Sequence, residues 1–226
     1  MTRIPTAPIG KIFVTVDKRY NDEITLESGL KLYQDTTFRP EWHSNISGKV
    51  VSVPRSIGEH LENRGIVPEV LVGDRIWFLW TVCNDVANLV EIDGNEYWMI
   101  NYCDVICIQR FALLDDFETA ISDMIPVGGK ALIRAVETKR EEMTAGGIIL
   151  PQMIAEEQRK DIGKLIWIGT PREGQTACTA EVGDVVIFPA AYSNAHTIDG
   201  VEYFVVDQDD IQGCIPKEKP VKKKKK

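Results

Sequence analysis

Val182-Gly183-Asp184-Val185-Val186-Ile187-Phe188 is answered, 110 residues earlier, by Val72-Gly73-Asp74-Arg75-Ile76-Trp77-Phe78. In both places a Gly-Asp turn feeds a short run of β-branched and aromatic residues, too short for a helix, which reads as a strand. The match is not isolated. Gly10-Lys11-Ile12-Phe13-Val14 answers Gly129-Lys130-Ala131-Leu132-Ile133, and Gly48-Lys49-Val50-Val51 answers Gly163-Lys164-Leu165-Ile166. Ile92-Asp93-Gly94-Asn95-Glu96-Tyr97-Trp98 answers Ile198-Asp199-Gly200-Val201-Glu202-Tyr203-Phe204. The offsets fall from 119 through 115 and 110 to 106. Four matches in one order, with losses confined to polar Gly/Pro-containing intervals, describe two copies of one folded unit.

Each copy reads as all-β. Ile12, Val14 and Val16 alternate with Phe13 and Thr15, the period of two of a strand. Asp93-Gly94 and Asp199-Gly200 stand between apolar runs and predict tight hairpins, because glycine accepts the positive φ such turns require. Several short strands in each copy imply a small closed barrel. The expected layout is a first barrel over 1–110, a linker over 111–125, a second barrel over 126–216 and a disordered tail over 217–226. Within Phe111–Val127, the spacing of Leu113, Phe117, Ala120 and Met124 predicts one face of a short helix ending before Pro126.

Composition bounds the function. Of 226 residues 44% are hydrophobic, which excludes wholesale disorder. No stretch is apolar enough for a membrane span and no secretory signal core opens the chain, so a cytoplasmic protein is expected. Cys83, Cys103, Cys107, Cys178 and Cys214 form an odd, scattered set without a CxxC pair, as reduced thiols would. Net charge is −8, but residues 217–226 hold seven lysines against one glutamate; the remaining 19 bases and 33 acids give the body −14. An acidic body argues against nucleic-acid binding. The lysine run reads as a solvated tail, with weak attachment to an anionic surface as the alternative.

One further stretch, Thr144-Ala145-Gly146-Gly147-Ile148-Ile149-Leu150-Pro151, sets three aliphatics among glycines, a proline and flanking charge. Such a triplet is either a short core strand or a segment displayed for the groove of another protein.

With Pro126-Val127-Gly128-Gly129-Lys130 before it, and Gly163-Lys164-Leu165-Ile166, the Val182–Phe188 run and Tyr203-Phe204-Val205-Val206-Asp207 after it, the second copy resembles the GroES-type co-chaperonins, the lids of chaperonin rings. The tandem layout is similar to that of the two-domain co-chaperonins of plastids. The resemblance implies that Gly146, Gly147, Ile148, Ile149 and Leu150 form a mobile loop binding a GroEL-type chaperonin. It implies a homo-oligomer, no cofactor of its own (ATP is bound by the partner chaperonin) and assistance to protein folding. It also implies ring formation by edge strands near Pro8–Val14, Val105–Ile108, Pro126–Ile133 and Ile211–Ile215. Paired domains cannot match an odd-fold partner ring laid flat, so either a mismatch or two tiers of domains is expected. The first copy departs from the pattern: its loop carries Gly29, Leu30, Lys31 and Leu32, with a lysine inside the triplet. An extended Leu30-Lys31-Leu32 can still present both leucines on one side. Packing against its own domain, with Phe38 and Trp42, is the alternative.

Enzymatic readings fare worse. Zinc catalysis, as in the alcohol dehydrogenases sharing this barrel, needs clustered ligands, and no histidine lies near Cys103 and Cys107 in sequence. His43, His60 and His196 are isolated and expected in solvent, Asp207, Asp209 and Asp210 read as a polar turn, and Tyr192 has no assigned chemistry. No enzyme is expected. The competing non-enzymatic reading is a tandem-barrel adaptor for a non-chaperonin partner.

Overall fold

Short apolar runs separated by Gly and Asp favour antiparallel pairing of neighbours, and the computed structural model is built that way throughout. It describes all residues except 1–2, 19, 21–22, 26–29, 34–45, 60, 115–116, 136–160, 190–193 and 218–226. The chain divides into two compact units: Met1–Gly128 with Thr170–Gly174, and Gly129–Gly169 with Gln175–Lys226.

The first unit contains β1 (Lys11–Thr15), β2 (Glu23–Thr25), β3 (Lys31–Tyr33), β4 (Ser47–Ser52), β5 (Arg75–Phe78), β6 (Leu89–Ile92), β7 (Asn95–Asn101), β8 (Val105–Gln109), β9 (Phe111–Leu114), β10 (Phe117–Ala120) and β11 (Ile125–Pro126). The second contains β12 (Lys130–Ala135), β13 (Ile162–Ile168), β14 (Val185–Ile187), β15 (Asn194–Ile198), β16 (Val201–Asp207) and β17 (Gly213–Ile215). Among the described residues the one α-helix is a single turn, Thr81–Asn84.

The sheet orders are β11-β8-β5-β4-β1-β7-β6 and β17-β14-β13-β12-β16-β15. Once β11 is set aside, the two sequences of neighbours coincide strand for strand. Even the irregularities recur: pairing of β1 with β4 slips between Phe13 and Val14, and that of β12 with β13 between Leu132 and Ile133. The repeat inferred from the sequence is therefore a repeat of fold.

Recurring residues have recurring causes. Asp93 and Asp199 have φ of 52° and 48°, followed by Gly94 and Gly200 at 75° and 78°. Two successive positive values make the tight turns joining β6 to β7 and β15 to β16. Gly48 and Gly163 are kept small by strand approach. A Cβ on Gly48 would lie 2.8 Å from the Thr15 carbonyl oxygen; on Gly163 it would collide with Ile133 and lie 2.7 Å from the Arg134 carbonyl oxygen. The Val-Gly-Asp turns are tied alike. Asp74 Oδ2 accepts from Leu71 N–H at 2.8 Å and Asp184 Oδ2 from Glu181 N–H at 2.9 Å.

Each unit has its own core. Ile12, Val14, Ile76, Phe78, Ile100 and Val105 are buried together in the first; Ala131, Ile133, Leu165, Val186, Phe188 and Phe204 in the second. Phe13, read as the outward partner in the alternation, is also buried, against Ala7 and Tyr97 on the opposite sheet face. The N-terminal segment covers that face, with Ala7 N–H donating to Ser52 Oγ at 3.0 Å.

The helix expected over Phe111–Val127 is not formed. β9 and β10 pair as a hairpin with Phe117 opposite Leu114 and Ala120 opposite Phe111. Its base is closed by Arg110 N–H to Ser122 Oγ at 2.9 Å and Ile121 N–H to the Arg110 carbonyl at 2.9 Å. An apolar quartet, Phe111–Leu114, and a mixed one, Phe117–Ala120, around adjacent aspartates satisfy a hairpin as well as a helix, and both are too short to sustain helical cooperativity. Two of the segments expected at sheet edges are also interior: β1 lies between β4 and β7, and β12 between β13 and β16.

The two repeated aspartates differ electrostatically. Burial pushes the Asp74 carboxyl above the ordinary carboxylate range, against the Leu71 N–H and Arg110. Backbone N–H groups of Lys217 and Glu181 hold Asp184 below it. The raised group stabilises the fold most at pH below an unfolded aspartate's pKa and loses that contribution as pH rises; the lowered group stabilises above that pKa and loses it on acidification. At neutral pH, Asp184→Asn should lower the melting temperature by about 2–5 °C, whereas Asp74→Asn should leave it unchanged or raise it. Gly163→Ala should cost about 1–3 kcal/mol by overpacking, read from denaturant unfolding.

Candidate functional site

Both candidate docking segments occupy one topological position, the connection from the first strand of a unit to the next core strand. In the second unit this connection runs from the end of β12 to the start of β13, and Gly146, Gly147, Ile148, Ile149 and Leu150 lie outside the described residues.

In the first unit the connection carries β2 and β3, paired with Glu23 opposite Tyr33, Ile24 opposite Leu32 and Thr25 opposite Lys31. Since side chains alternate along a strand, Leu32 takes one face of β3 and Lys31 and Tyr33 take the other. Gly29, Phe38 and Trp42 lie outside the described residues. Leu30 is 57% exposed, Leu32 44% and Tyr33 72%, so none of the three is packed into a core. A solvent-exposed aliphatic pair on a small hairpin presents apolar area without chemistry of its own.

The outer strands of the two sheets form the second part of the candidate site. β11 pairs with β8, placing Ile125 opposite Ile108 and Pro126 opposite Cys107. The Val127 N–H continues the ladder to the Ile106 carbonyl at 3.0 Å. The edge of β8 is thereby covered, and Ile106, Cys107 and Ile108 are fully buried. β17, the counterpart of β8, pairs with β14 through Val185–Ile215, Val186–Cys214 and Ile187–Gly213. Among the described residues no strand pairs with its other side, and Ile215 is 56% exposed. Its end is nevertheless fixed: Lys217 N–H donates to Asp184 Oδ1 at 2.9 Å and Lys217 Nζ to the Val182 carbonyl at 2.8 Å.

Among the described residues no group of three or more His, Cys, Asp or Glu side chains is placed to hold a metal. Asp209 and Asp210 fall in a 3-10 turn, Gln208–Asp210, just after Asp207. Burial, then the charges of Asp207 and Asp209, push the Asp210 carboxyl upward. All five cysteines are free thiols. His43, His60 and Tyr192 lie outside the described residues. His196 corrects the expectation of a solvated loop residue: it sits on β15 and is 7% exposed. Pairing with β16 turns a polar-looking pentapeptide into a strand whose alternate residues, His196 and Ile198, are both buried.

Sequence reading missed the coverage of β8 by β11. The signal was present in Ile125-Pro126-Val127, an apolar stretch directly after a turn-rich connector, but which edge it meets is a tertiary fact.

Residues 123–215 match the family described as the Chaperonin 10 Kd subunit, Cpn10. The chain is 37% identical over 94 residues to the co-chaperonin GroES of Geobacillus thermodenitrificans (strain NG80-2), covering 40% of this chain and 96% of that protein. It is 36% identical over 91 residues to that of Rubrobacter xylanophilus, covering 40% and 93%, and 38% identical over 88 residues to that of Kosmotoga olearia, covering 39% and 91%. The matched span starts just before β11 and runs through β17, so these relatives correspond almost whole to one of the two repeated folds. The chain belongs to the Cpn10 family of GroES co-chaperonins.

Proposed function

We propose that this chain is a cytoplasmic co-chaperonin that caps a GroEL-type chaperonin ring and assists ATP-dependent protein folding, the nucleotide being bound by the partner. The observation that carries the reading is the near-complete coverage of GroES proteins by the second half of the chain. Family membership favours a binding role over an enzyme.

Docking rests on apolar side chains. Ile148, Ile149 and Leu150 enter a groove on the chaperonin, each contributing about 1.5–3 kcal/mol on full burial. Ordering a free loop consumes a few kcal/mol of that. A single loop therefore binds weakly, and a ring of them binds tightly through effective concentration while staying releasable. Leu30 and Leu32 supply a smaller apolar face in the first copy, so the two copies contribute unequally.

The oligomer is built by strand addition. The covered edge of β8 is the precedent within the chain for what the open edge of β17 receives from a neighbour. Free thiols suit a reducing cytoplasm.

Replacing Ile149→Asp should abolish capture by an ATP-loaded GroEL-type ring while circular dichroism stays unchanged; undiminished capture contradicts the docking role. Leu32→Asp should weaken capture less. Ile215→Lys places a charge on the open edge and should shift the native mass of the protein toward the single chain; an unchanged oligomer contradicts assembly through β17.

A further inference from the structure

The two units place different residues at one position of their outermost hairpin. Val90 on β6 stands opposite Tyr97 on β7, and His196 on β15 stands opposite Tyr203 on β16. The first copy fills the position with an aliphatic. The second fills it with a 7% exposed imidazole whose Nε2 makes no hydrogen bond. A buried, unpaired ring nitrogen costs stability where valine would cost none, which calls for a reason other than packing.

The surroundings make the ring intolerant of charge. Along the row that runs across the sheet from His196 come Tyr203, Arg134 and Lys164. Arg134 Nη2 donates to the Tyr203 hydroxyl at 3.3 Å, and its guanidinium lies 5.5 Å from the centre of that ring. On the same face the neighbouring rows hold Val205, Leu132 and Trp167 on one side, and Ile198 and Val201 on the other, none of them ionisable. The groups facing His196 from β16, β12 and β13 are thus a phenol and two cations; among the described residues no carboxylate joins them.

We propose that His196 is an acid-sensitive latch for β15: protonation of its ring detaches this strand from β16 and opens the outer edge of the second unit, leaving the first unit closed. Geometry makes β15 the element free to leave. Among the described residues it ends its sheet and pairs with β16 alone. Its departure uncovers the edge of β16.

Burial holds the imidazole below its ordinary value near neutrality. The folded state therefore resists a proton that the opened strand accepts. Stability of β15 is complete above an ordinary histidine pKa and is lost as pH falls below it. The inference stands apart from the co-chaperonin reading, since it concerns the isolated chain.

The test is amide hydrogen exchange across pH 7.5 to 5.0, corrected for intrinsic rates, together with NMR titration of the His196 ring. Wild-type β15 and β16 should exchange faster by up to about tenfold per pH unit below the ordinary histidine pKa, while β6 and β7 do not change. His196→Val, which installs the residue used by the first copy, should abolish the acid response and keep the neutral-pH spectrum. Acid-independent protection of β15 in the wild type overturns the proposal, as does an acid response that survives His196→Val. A ring that titrates at an ordinary value without loosening β15 overturns it as well.

Discussion

The outermost strand of a sheet carries a row of N–H and C=O groups that must find partners, and the two units differ in how far the described chain supplies them. At β8 the chain turns through the β9–β10 hairpin and returns as β11 to complete the ladder. At β17 no continuation of the described chain does so, although the preceding strands repeat the first unit in order and in irregularity. A short, open edge that ends in an exposed isoleucine is costly to an isolated protein and useful to an assembling one. The connector belongs to the same logic, since it guides Ile125–Pro126 onto β8.

Much of this was legible in the sequence, for identifiable reasons. Turn chemistry is local, so Asp93-Gly94 and Asp199-Gly200 could be placed between strands from two residues alone. The glycines at 48 and 163 were legible as a repeat, though their cause, the close passage of Thr15 and Arg134, needed coordinates. The connector was misread because Leu113, Phe117, Ala120 and Met124 fit a helical stripe and a hairpin equally over so short a span. His196 was misread because burial on an edge strand depends on what covers the strand. The candidate loop triplet was legible as apolar residues in a polar setting, but its role was carried by family resemblance and not by its chemistry.

Duplication allows two copies to keep one scaffold while their special positions diverge. The Val-Gly-Asp aspartate is raised by burial in the first unit, against the pull of Arg110, and is lowered in the second by the backbone N–H groups of Lys217 and Glu181. The outer hairpin holds Val90 in one and His196 in the other. The candidate docking segments are Leu30-Lys31-Leu32 in one and Ile148-Ile149-Leu150 in the other. Differences gathered at turns, edges and loops are what unequal roles for the two units would produce.

The central claim, that the aliphatic triplet is kept for a chaperonin, is tested most directly by following amide exchange of residues 144–151 with and without a nucleotide-loaded chaperonin ring. The account predicts strong protection of Ile148, Ile149 and Leu150 on adding the loaded ring, lost again when the nucleotide is removed. Exchange at these three residues that is the same in both conditions would contradict it.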